Sequence, residues 1–243
     1  MGLNEMLQFF RQMSGKLGSN VYAGVQGQVS PQHISFMRQL QREMKEKSTL
    51  DLPLKDLPVV VFDIETTGFH PEKGDYVISI GAIKMIGEEI IESDTFYSLI
   101  KSHVPLPYEI SKLTNIQDED LLIAPEASEV LINFLKFINS SILVAHHAKH
   151  EQIFMQRMTL DLLRTKFEHR VIDTSFLMRI VDPNVKALSL EEACSLCEVE
   201  IRNRHHALWD ARMTAEIWSF YLKKATDAGF HQLRDVYEQL AKL

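Results

Sequence analysis

Residues 60–68 read Val60-Val61-Phe62-Asp63-Ile64-Glu65-Thr66-Thr67-Gly68, in which an apolar run leads into two carboxylates separated by one residue. The apolar run predicts a buried strand over Val59 to Phe62. Side chains alternate between the faces of a strand, so Asp63 and Glu65 should share one face. Two acids at the end of a buried strand repel each other and lose hydration, so they need a compensating cation or hydrogen-bond donors, and a divalent metal is the favoured answer. Carboxylate oxygens without nearby thiolates suit Mg²⁺ or Mn²⁺.

The sequence after this stretch alternates short apolar runs with longer amphipathic segments, which is typical of an α/β domain. Two strand-like runs joined at Gly87-Glu88 predict an antiparallel pair, so the sheet should be mixed and flanked by helices. The predicted pair spans Tyr76 to Ile86 and Glu89 to Ile100; further strands are predicted at Ile142 to Ala145 and Val171-Ile172, and helices at Glu126 to Ile138, Ser189 to Cys197 and His206 to Lys224.

Residues 1–57 are predicted to be a helical N-terminal extension, followed by the main domain over 58–225 and a helical tail over 226–243. Apolar residues at helical spacing predict the two helices of the extension, the second capped by Ser30-Pro31. The first contains Leu3, Met6, Leu7 and Phe10, and the second Ile34, Met37, Leu40 and Met44. A basic face on the second helix (Arg38, Arg42, Lys45, Lys47) favours a solvated surface, with phosphate tracking or partner docking as the alternative.

Composition and charge narrow the class of protein. Hydrophobic residues make up 45% and charged residues 24% of the 243 residues, as in soluble globular proteins. No stretch approaches a membrane span and no secretory signal is evident, which predicts a cytoplasmic protein without membrane contact. The formal charge of -7 argues against coating of nucleic-acid duplexes, yet it permits an enzyme that grips one chain end through bound cations.

Cysteines and clustered histidines raise the alternative of a zinc site. Cys194 and Cys197 lack a second ligand pair, so buried small hydrophobes are favoured over a metal or redox role. His146, His147 and His150 lie close in sequence, and zinc is the less favoured explanation for them as well.

Three motifs carry a resemblance to a known family. Asp63-x-Glu65-Thr66-Thr67-Gly68 resembles the first motif of the DEDDh exonucleases, the DnaQ-like family that includes the proofreading epsilon subunit of bacterial polymerase III. The stretch from His205 to Asp210 resembles the third motif, in which a histidine precedes the last acidic ligand by five positions. The resemblance covers about residues 58–225, takes in Asp173-Thr174, and implies a ribonuclease H-like fold.

The second motif departs from the family pattern. His146-His147-Ala148-Lys149-His150-Glu151 resembles His-Asn-Ala-x-Phe-Asp, with Glu151 in the place of the aspartate and two histidines in the places of Asn and Phe. Asn115 likewise stands where a glycine is common. Glutamate keeps the charge and the oxygens of aspartate, so a working site is favoured over a degraded one. The added methylene would show as an altered metal preference.

The resemblance implies a metal-dependent 3′–5′ exonuclease that releases nucleoside 5′-monophosphates. It implies two Mg²⁺ or Mn²⁺ ions held by Asp63, Glu65, Asp210 and Glu151, and His205 as general base. Residues five apart on a helix differ by about 140° around the axis, so His205 should lie on the loop before the helix that carries Asp210. The implied substrate contacts are Thr66, Thr67, Leu113, Thr114, Ile116 and His146.

Three functions follow as hypotheses. The favoured one is proofreading or repair on single-stranded or frayed 3′ ends of DNA. The second is trimming of RNA 3′ ends by an enzyme of the same fold. The third is a catalytically impaired module that binds ends and docks on a polymerase or another replication or repair protein through residues 1–57.

Overall fold

The computed structural model of the chain describes residues 31–46, 50–185 and 187–242. The predicted first helix around Leu3 to Phe10 and the Ser30 cap lie outside these residues. The strands are β1 Pro58–Thr66, β2 Val77–Ile86, β3 Glu89–Leu99, β4 Ile142–Ala145 and β5 Val171–Asp173. The helices are α1 Pro31–Glu46, α2 Tyr108–Thr114, α3 Asp118–Ile123, α4 Ala127–Ile138, α5 Lys149–Leu163, α6 Ser175–Val181, α7 Leu190–Cys197, α8 Ala207–Asp227 and α9 Leu233–Leu240.

The strands form one mixed sheet in the order β3-β2-β1-β4-β5. β1 runs antiparallel to β2 and parallel to β4, which confirms the predicted mixed sheet. β1 continues beyond the predicted end at Phe62, because Asp63 pairs with Gly81 and Glu65 with Ser79 in the ladder with β2. The backbone pairing, rather than side-chain polarity, therefore sets the length of this strand.

Strand β1 lies at the centre of the sheet and is buried on both faces. Val59 and Val61 pack with Met213 and Trp218 of α8, whereas Phe62 packs with Phe134 on the opposite face. Full burial of a side chain such as Phe62 contributes about 2–3 kcal/mol. By alternation, Asp63 and Glu65 belong to the same face as Val61, which is the face covered by α8.

Gly81 allows the first turn of α8 to approach the sheet. A Cβ atom at this position would lie 2.2 Å from the carbonyl carbon of Ala207 and 2.2 Å from the nitrogen of Leu208. Gly81 also pairs with Asp63 across the β1–β2 ladder. The missing side chain therefore lets α8 bring its N-terminal residues next to the acids of β1.

A Gly81→Ala chain is expected to lose about 3 kcal/mol or more of unfolding free energy, because the new methyl group meets backbone atoms that cannot rotate away. Gly229→Ala is the matched control: nothing lies within 4 Å of its Cβ position, but φ is +93°, so the cost should be backbone strain of about 1 kcal/mol. Urea unfolding monitored by circular dichroism measures both. Equal losses in the two variants would contradict the close approach at Gly81.

Segments outside 58–225 also contribute to the core. In α1, Leu40 is buried, Gln41 donates a hydrogen bond to Glu168 (3.3 Å), and Arg38 and Arg42 are exposed, as expected for a solvated basic face. Leu54 is buried, and its N–H donates to the carbonyl oxygen of His231 ahead of α9 (2.7 Å). No helix among the described residues has the length and apolar character needed to cross a membrane.

Candidate active site

A cleft of about 600 Å³ opens at the carboxyl end of β1 and β4. Nine of the residues predicted from the sequence line it: Asp63, Glu65, Thr66, Leu113, Thr114, His146, Glu151, His205 and Asp210. They come from separate segments of the chain, which the sheet and the first turns of α5 and α8 bring together. A cleft of this size accommodates a ligand of nucleotide dimensions rather than a duplex.

Three carboxylates form a compact group in this cleft. Asp63, Glu65 and Asp210 each offer one oxygen, and these oxygens all lie within 4.8 Å of one another. Asp210 lies in the first turn of α8 and is buried. Glu151 lies in the first turn of α5, is 4% exposed, and interacts electrostatically with Glu65.

Burial and mutual repulsion disfavour the charged forms of these acids. Burial, followed by the charges of Asp210, Glu65 and Glu151, raises the pKa of Asp63 well above its usual range. Burial and Asp210 raise the pKa of Glu65 to about 8. Burial also raises the pKa of Glu151 and, against the opposing charge of Arg204, that of Asp210. Such a cluster favours a bound cation, which would restore the charged form of each acid.

Unpartnered oxygens test whether these residues suit a divalent metal. Oδ1 of Asp210 and Oε2 of Glu151 are buried and have no hydrogen-bond partner among the described residues. Buried acceptors of this kind are costly unless a donor or cation satisfies them. The atoms that these four acids offer to a metal are all carboxylate oxygens. The four acids therefore fit a hard cation such as Mg²⁺ or Mn²⁺.

In chelator, the contribution of Glu65 to the stability of the chain is expected to fall as pH rises from about 4.5 to about 8, so the unmodified chain should lose stability relative to Glu65→Gln over this range. The pKa of Glu65 is higher in the folded chain than in the unfolded one, so its stabilising contribution is complete below the unfolded value and is lost as pH rises through about 8. Melting temperatures in EDTA across this range measure the effect, and Glu65→Gln should flatten the profile. An identical profile in Glu65→Gln would contradict the assignment to this side chain.

His205 precedes α8, which begins at Ala207, so the prediction that it lies on the loop before the helix is confirmed. Its φ of 62° is a left-handed value, and its N–H donates to Oδ2 of Asp210 (3.1 Å). Burial and the neighbouring Arg204 lower the pKa of the His205 imidazole to about 4. The ring is therefore neutral at pH 7 in the protein without metal.

His146 has both ring nitrogens engaged by the protein. Nε2 lies 2.9 Å from the carbonyl oxygen of Leu188 and must donate to it, so Nδ1 accepts from the hydroxyl of Thr174 (2.7 Å). Burial lowers the pKa of this imidazole to about 4. The neutral ring is hydrogen-bonded through both nitrogens and so holds the Leu188 loop at the edge of the cleft. Because neither nitrogen is free for a metal, this arrangement does not support the zinc alternative.

Two further departures from the family pattern, at His150 and Asn115, also have local explanations. His150 stands where the family has Phe, and its ring lies edge-on to Phe69 with centroids 5.3 Å apart. The imidazole therefore makes an aromatic contact in the lining of the cleft. Asn115 caps α2 with φ 59° and ψ 17°, a left-handed conformation that glycine adopts most readily and asparagine tolerates.

Two predicted substrate contacts, Thr67 and Ile116, are not among the residues that line the cleft. The hydroxyl oxygen of Thr67 accepts from the N–H of Tyr76 (3.1 Å). Ile116 packs with Tyr76 and Leu121 in a small apolar cluster. Both side chains are thus engaged within the protein, and their contact with a substrate stays a prediction.

Sequence reasoning missed Arg204 and Glu191, which both line the cleft. Arg204 directly precedes His205, and Glu191 belongs to the first turn of α7. Their only signal in the sequence was proximity to a motif and to the capping box at Ser189. Cys194 and Cys197 are buried in the core, and burial raises the pKa of each thiol to about 11, which supports their interpretation as small hydrophobes.

Sequence comparison places the chain among nucleases. A family model described as "Exonuclease" (RNase_T) matches residues 60–218. The DNA polymerase III subunit epsilon of Aquifex aeolicus (strain VF5) is 36% identical over 165 residues, which cover 68% of this chain and 80% of that protein. The PolC-type DNA polymerase III of Clostridium perfringens (strain 13 / Type A) is also 36% identical, over 181 residues that cover 74% of this chain and 12% of that protein.

Solved structures share the fold at low sequence identity. A 3′-exonuclease in a structure on 3′-end-specific recognition of a histone mRNA stem-loop has a TM-score of 0.60 at 17% identity, covering 92% of this chain and 81% of its own. Exonuclease X in complex with 5′-overhanging duplex DNA has a TM-score of 0.54 at 18% identity, covering 73% of this chain and 98% of its own. The chain therefore belongs to the exonuclease family, as a DnaQ-like, epsilon-type member with a ribonuclease H-like fold.

Proposed function

We propose that this chain hydrolyses nucleotides one at a time from the 3′ end of DNA and releases nucleoside 5′-monophosphates. The observation that supports this most is the acidic group itself: oxygens of Asp63, Glu65 and Asp210 lie within 4.8 Å of one another, with unpartnered oxygens on Asp210 and Glu151. His205 lines the same cleft.

Asp63, Glu65, Asp210 and Glu151 are the residues that would hold two Mg²⁺ or Mn²⁺ ions. When bound, such ions supply an activated water and stabilise the charge that develops on the phosphate and the leaving oxygen. The protein supplies a fixed frame for them, because Asp63 and Glu65 lie in a central strand and Asp210 and Glu151 in the first turns of two helices. Rigid elements of this kind hold ligands more accurately than loops do.

His205 acts in this proposal as the base that removes a proton from the attacking water. Its pKa of about 4 in the protein without metal leaves the imidazole neutral, as a base requires, although the same low value makes it a weaker base than an ordinary histidine. Its backbone N–H bond to Asp210 keeps the loop beside the acidic group. The Asp210 carboxylate thus belongs to the proposed metal site and also holds the loop that carries the base.

Further residues that line the cleft are suited to the terminal nucleotide. Phe69 and Leu113 offer apolar surface for a base or sugar. Thr66 and Thr114 also line the cleft, although their hydroxyls donate to the carbonyl oxygens of Gly68 (2.7 Å) and Ile110 (2.9 Å). The lining therefore combines nonspecific apolar contact with few polar groups, as expected for an enzyme that accepts any base.

The choice of DNA rests on relatives named as DNA polymerase III subunits. Because this chain spans 12% of the length of the PolC-type relatives, their polymerase activity and partners do not transfer to it. RNA is the second candidate, since the fold is shared with an exonuclease in a histone mRNA structure. Docking on a polymerase through residues 1–57 and a cytoplasmic location both stay predictions.

The test is incubation of 5′-labelled single-stranded DNA and RNA of matched sequence with Mg²⁺, Mn²⁺ or EDTA. The expected result is a ladder of products shortened from the 3′ end, dependent on metal and faster on DNA. Faster shortening of RNA would favour the second candidate. No shortening with either metal would contradict the enzyme, and recovery of activity in Glu151→Asp would then identify an impaired end-binding module.

A further inference from the structure

Arg204 is the one arginine or lysine among the described residues that line the cleft. It shares the cleft with five carboxylates: Asp63, Glu65, Glu151, Glu191 and Asp210. Its side chain is 20% exposed, so it is mostly withdrawn from water. A nucleic-acid backbone is anionic, so a cleft with this charge balance has one protein cation available to attract it.

The guanidinium group of Arg204 is held at two points. Nη1 donates to Oδ2 of Asp210, and Nε donates to Oε1 of Glu191 at 2.8 Å. Oδ2 of Asp210 also accepts the N–H of His205, whereas Oδ1 has no partner. Arginine has five N–H donors in a planar fork, so these two bonds leave donors for a third group.

A divalent cation held by Asp210 would compete with the guanidinium group of Arg204 for this carboxylate. Both are positively charged, both are attracted by the same carboxylate, and they repel each other at short range. Glu191 is not one of the proposed metal ligands, and its side chain is 44% exposed. It can therefore keep its bond to Nε while the bond to Asp210 breaks.

We propose that Arg204 is the phosphate-binding residue of the cleft: it holds Asp210 in the metal-free protein and turns to a backbone phosphate of the substrate when a divalent cation binds Asp210, with Glu191 as its anchor. The planar fork of arginine suits bidentate binding of phosphate oxygens. This inference rests on the proposed function, because it requires both a metal at Asp210 and a nucleic-acid substrate.

The test compares Arg204→Gln with Arg202→Gln. Arg202 pairs with the exposed Glu200 and lies on the same loop, so its replacement removes the same charge outside the cleft. Calorimetric titration with Mn²⁺ alone should show about tenfold tighter binding in Arg204→Gln, since a repelling charge is removed while Asp210 keeps the N–H of His205. Arg202→Gln should bind Mn²⁺ like the unmodified chain.

The second measurement is fluorescence anisotropy of a labelled single-stranded oligodeoxynucleotide in Ca²⁺, with its length checked after each titration. Loss of one charge-assisted phosphate contact should weaken binding by about tenfold or more in Arg204→Gln. Arg204→Lys keeps the charge without the fork, so it should retain the Mn²⁺ affinity of the unmodified chain and bind the oligonucleotide with intermediate affinity.

Each outcome distinguishes the inference from the proposed function. If the unmodified chain binds no Mn²⁺, the proposed metal site is wrong. If it binds Mn²⁺ and Arg204→Gln binds it equally or more weakly, Arg204 does not compete for Asp210 and the inference is overturned. Unchanged oligonucleotide affinity would overturn the phosphate contact. Should melting curves show that Arg204→Gln is unfolded, the oligonucleotide affinity of Arg204→Lys is decisive: an affinity equal to that of the unmodified chain would overturn the inference.

Discussion

An Asp63→Asn chain is expected to shorten a DNA 3′ end about a thousandfold more slowly than the unmodified chain, because it loses a charge at the centre of the acidic group. Asparagine preserves the size of the side chain, so the change removes charge with little effect on packing. Asp63 interacts electrostatically with Asp210, Glu65 and Glu151, which is why no other single acid should matter more. Single-turnover rates in Mg²⁺ measure the loss.

The matched control is Asp94→Asn, which removes an acid from a half-exposed pair with Lys84 on the neighbouring strands. Its rate should stay within about twofold, as expected for a surface pair. In EDTA, Asp63→Asn should also be more stable by about 1–3 kcal/mol, because it relieves a buried and repelling carboxyl group. A slow variant that melts well below the unmodified chain would instead indicate damage to the fold.

A His205→Asn chain is expected to lose about 10²- to 10⁴-fold in single-turnover rate, which is the usual contribution of a general base. Asparagine has no basic nitrogen, yet it tolerates the left-handed backbone that His205 adopts at φ 62°. Its backbone N–H can still donate to Asp210, so Mn²⁺ affinity should stay close to that of the unmodified chain.

His206→Asn serves as the comparison at the adjacent position. His206 stacks on Tyr97 with ring centroids 4.4 Å apart and caps α8, so its replacement tests disturbance of the same turn without removing the proposed base. Its rate should fall by less than about tenfold. Equal losses in the two variants, or a rate for His205→Asn that is near normal, would contradict the role of His205.

The elements that place the acids were predictable because each depends on local patterns. The apolar run that precedes Asp63 predicted a buried strand, and alternation placed Asp63 and Glu65 on one face. The angle between positions five apart on a helix separated His205 from the helix of Asp210. Both conclusions need only the geometry of one element and no knowledge of its neighbours.

Contacts between elements were not predictable in the same way. Arg204 reaches Glu191 on α7 and Asp210 on α8, a pairing that depends on how two helices and a loop pack. Thr67 was expected at the substrate, but its hydroxyl satisfies a backbone group of Tyr76 nine residues later. The family motifs give residue identity at each position, whereas the direction of a side chain is set by tertiary packing.

The hydrogen bonds between the segment before β1 and the segment at α9 determine how this domain can be joined to others. The N–H of Arg234 donates to the carbonyl oxygen of Leu50 (3.0 Å), and Arg234 forms an ion pair with Asp51 (2.7 Å). The segment ahead of β1 and the segment that begins α9 are therefore neighbours in space. Chain that continues from either segment starts from the same side of the molecule. The PolC-type relative of Clostridium perfringens, of which the matched segment is 12%, is a longer polypeptide than this chain.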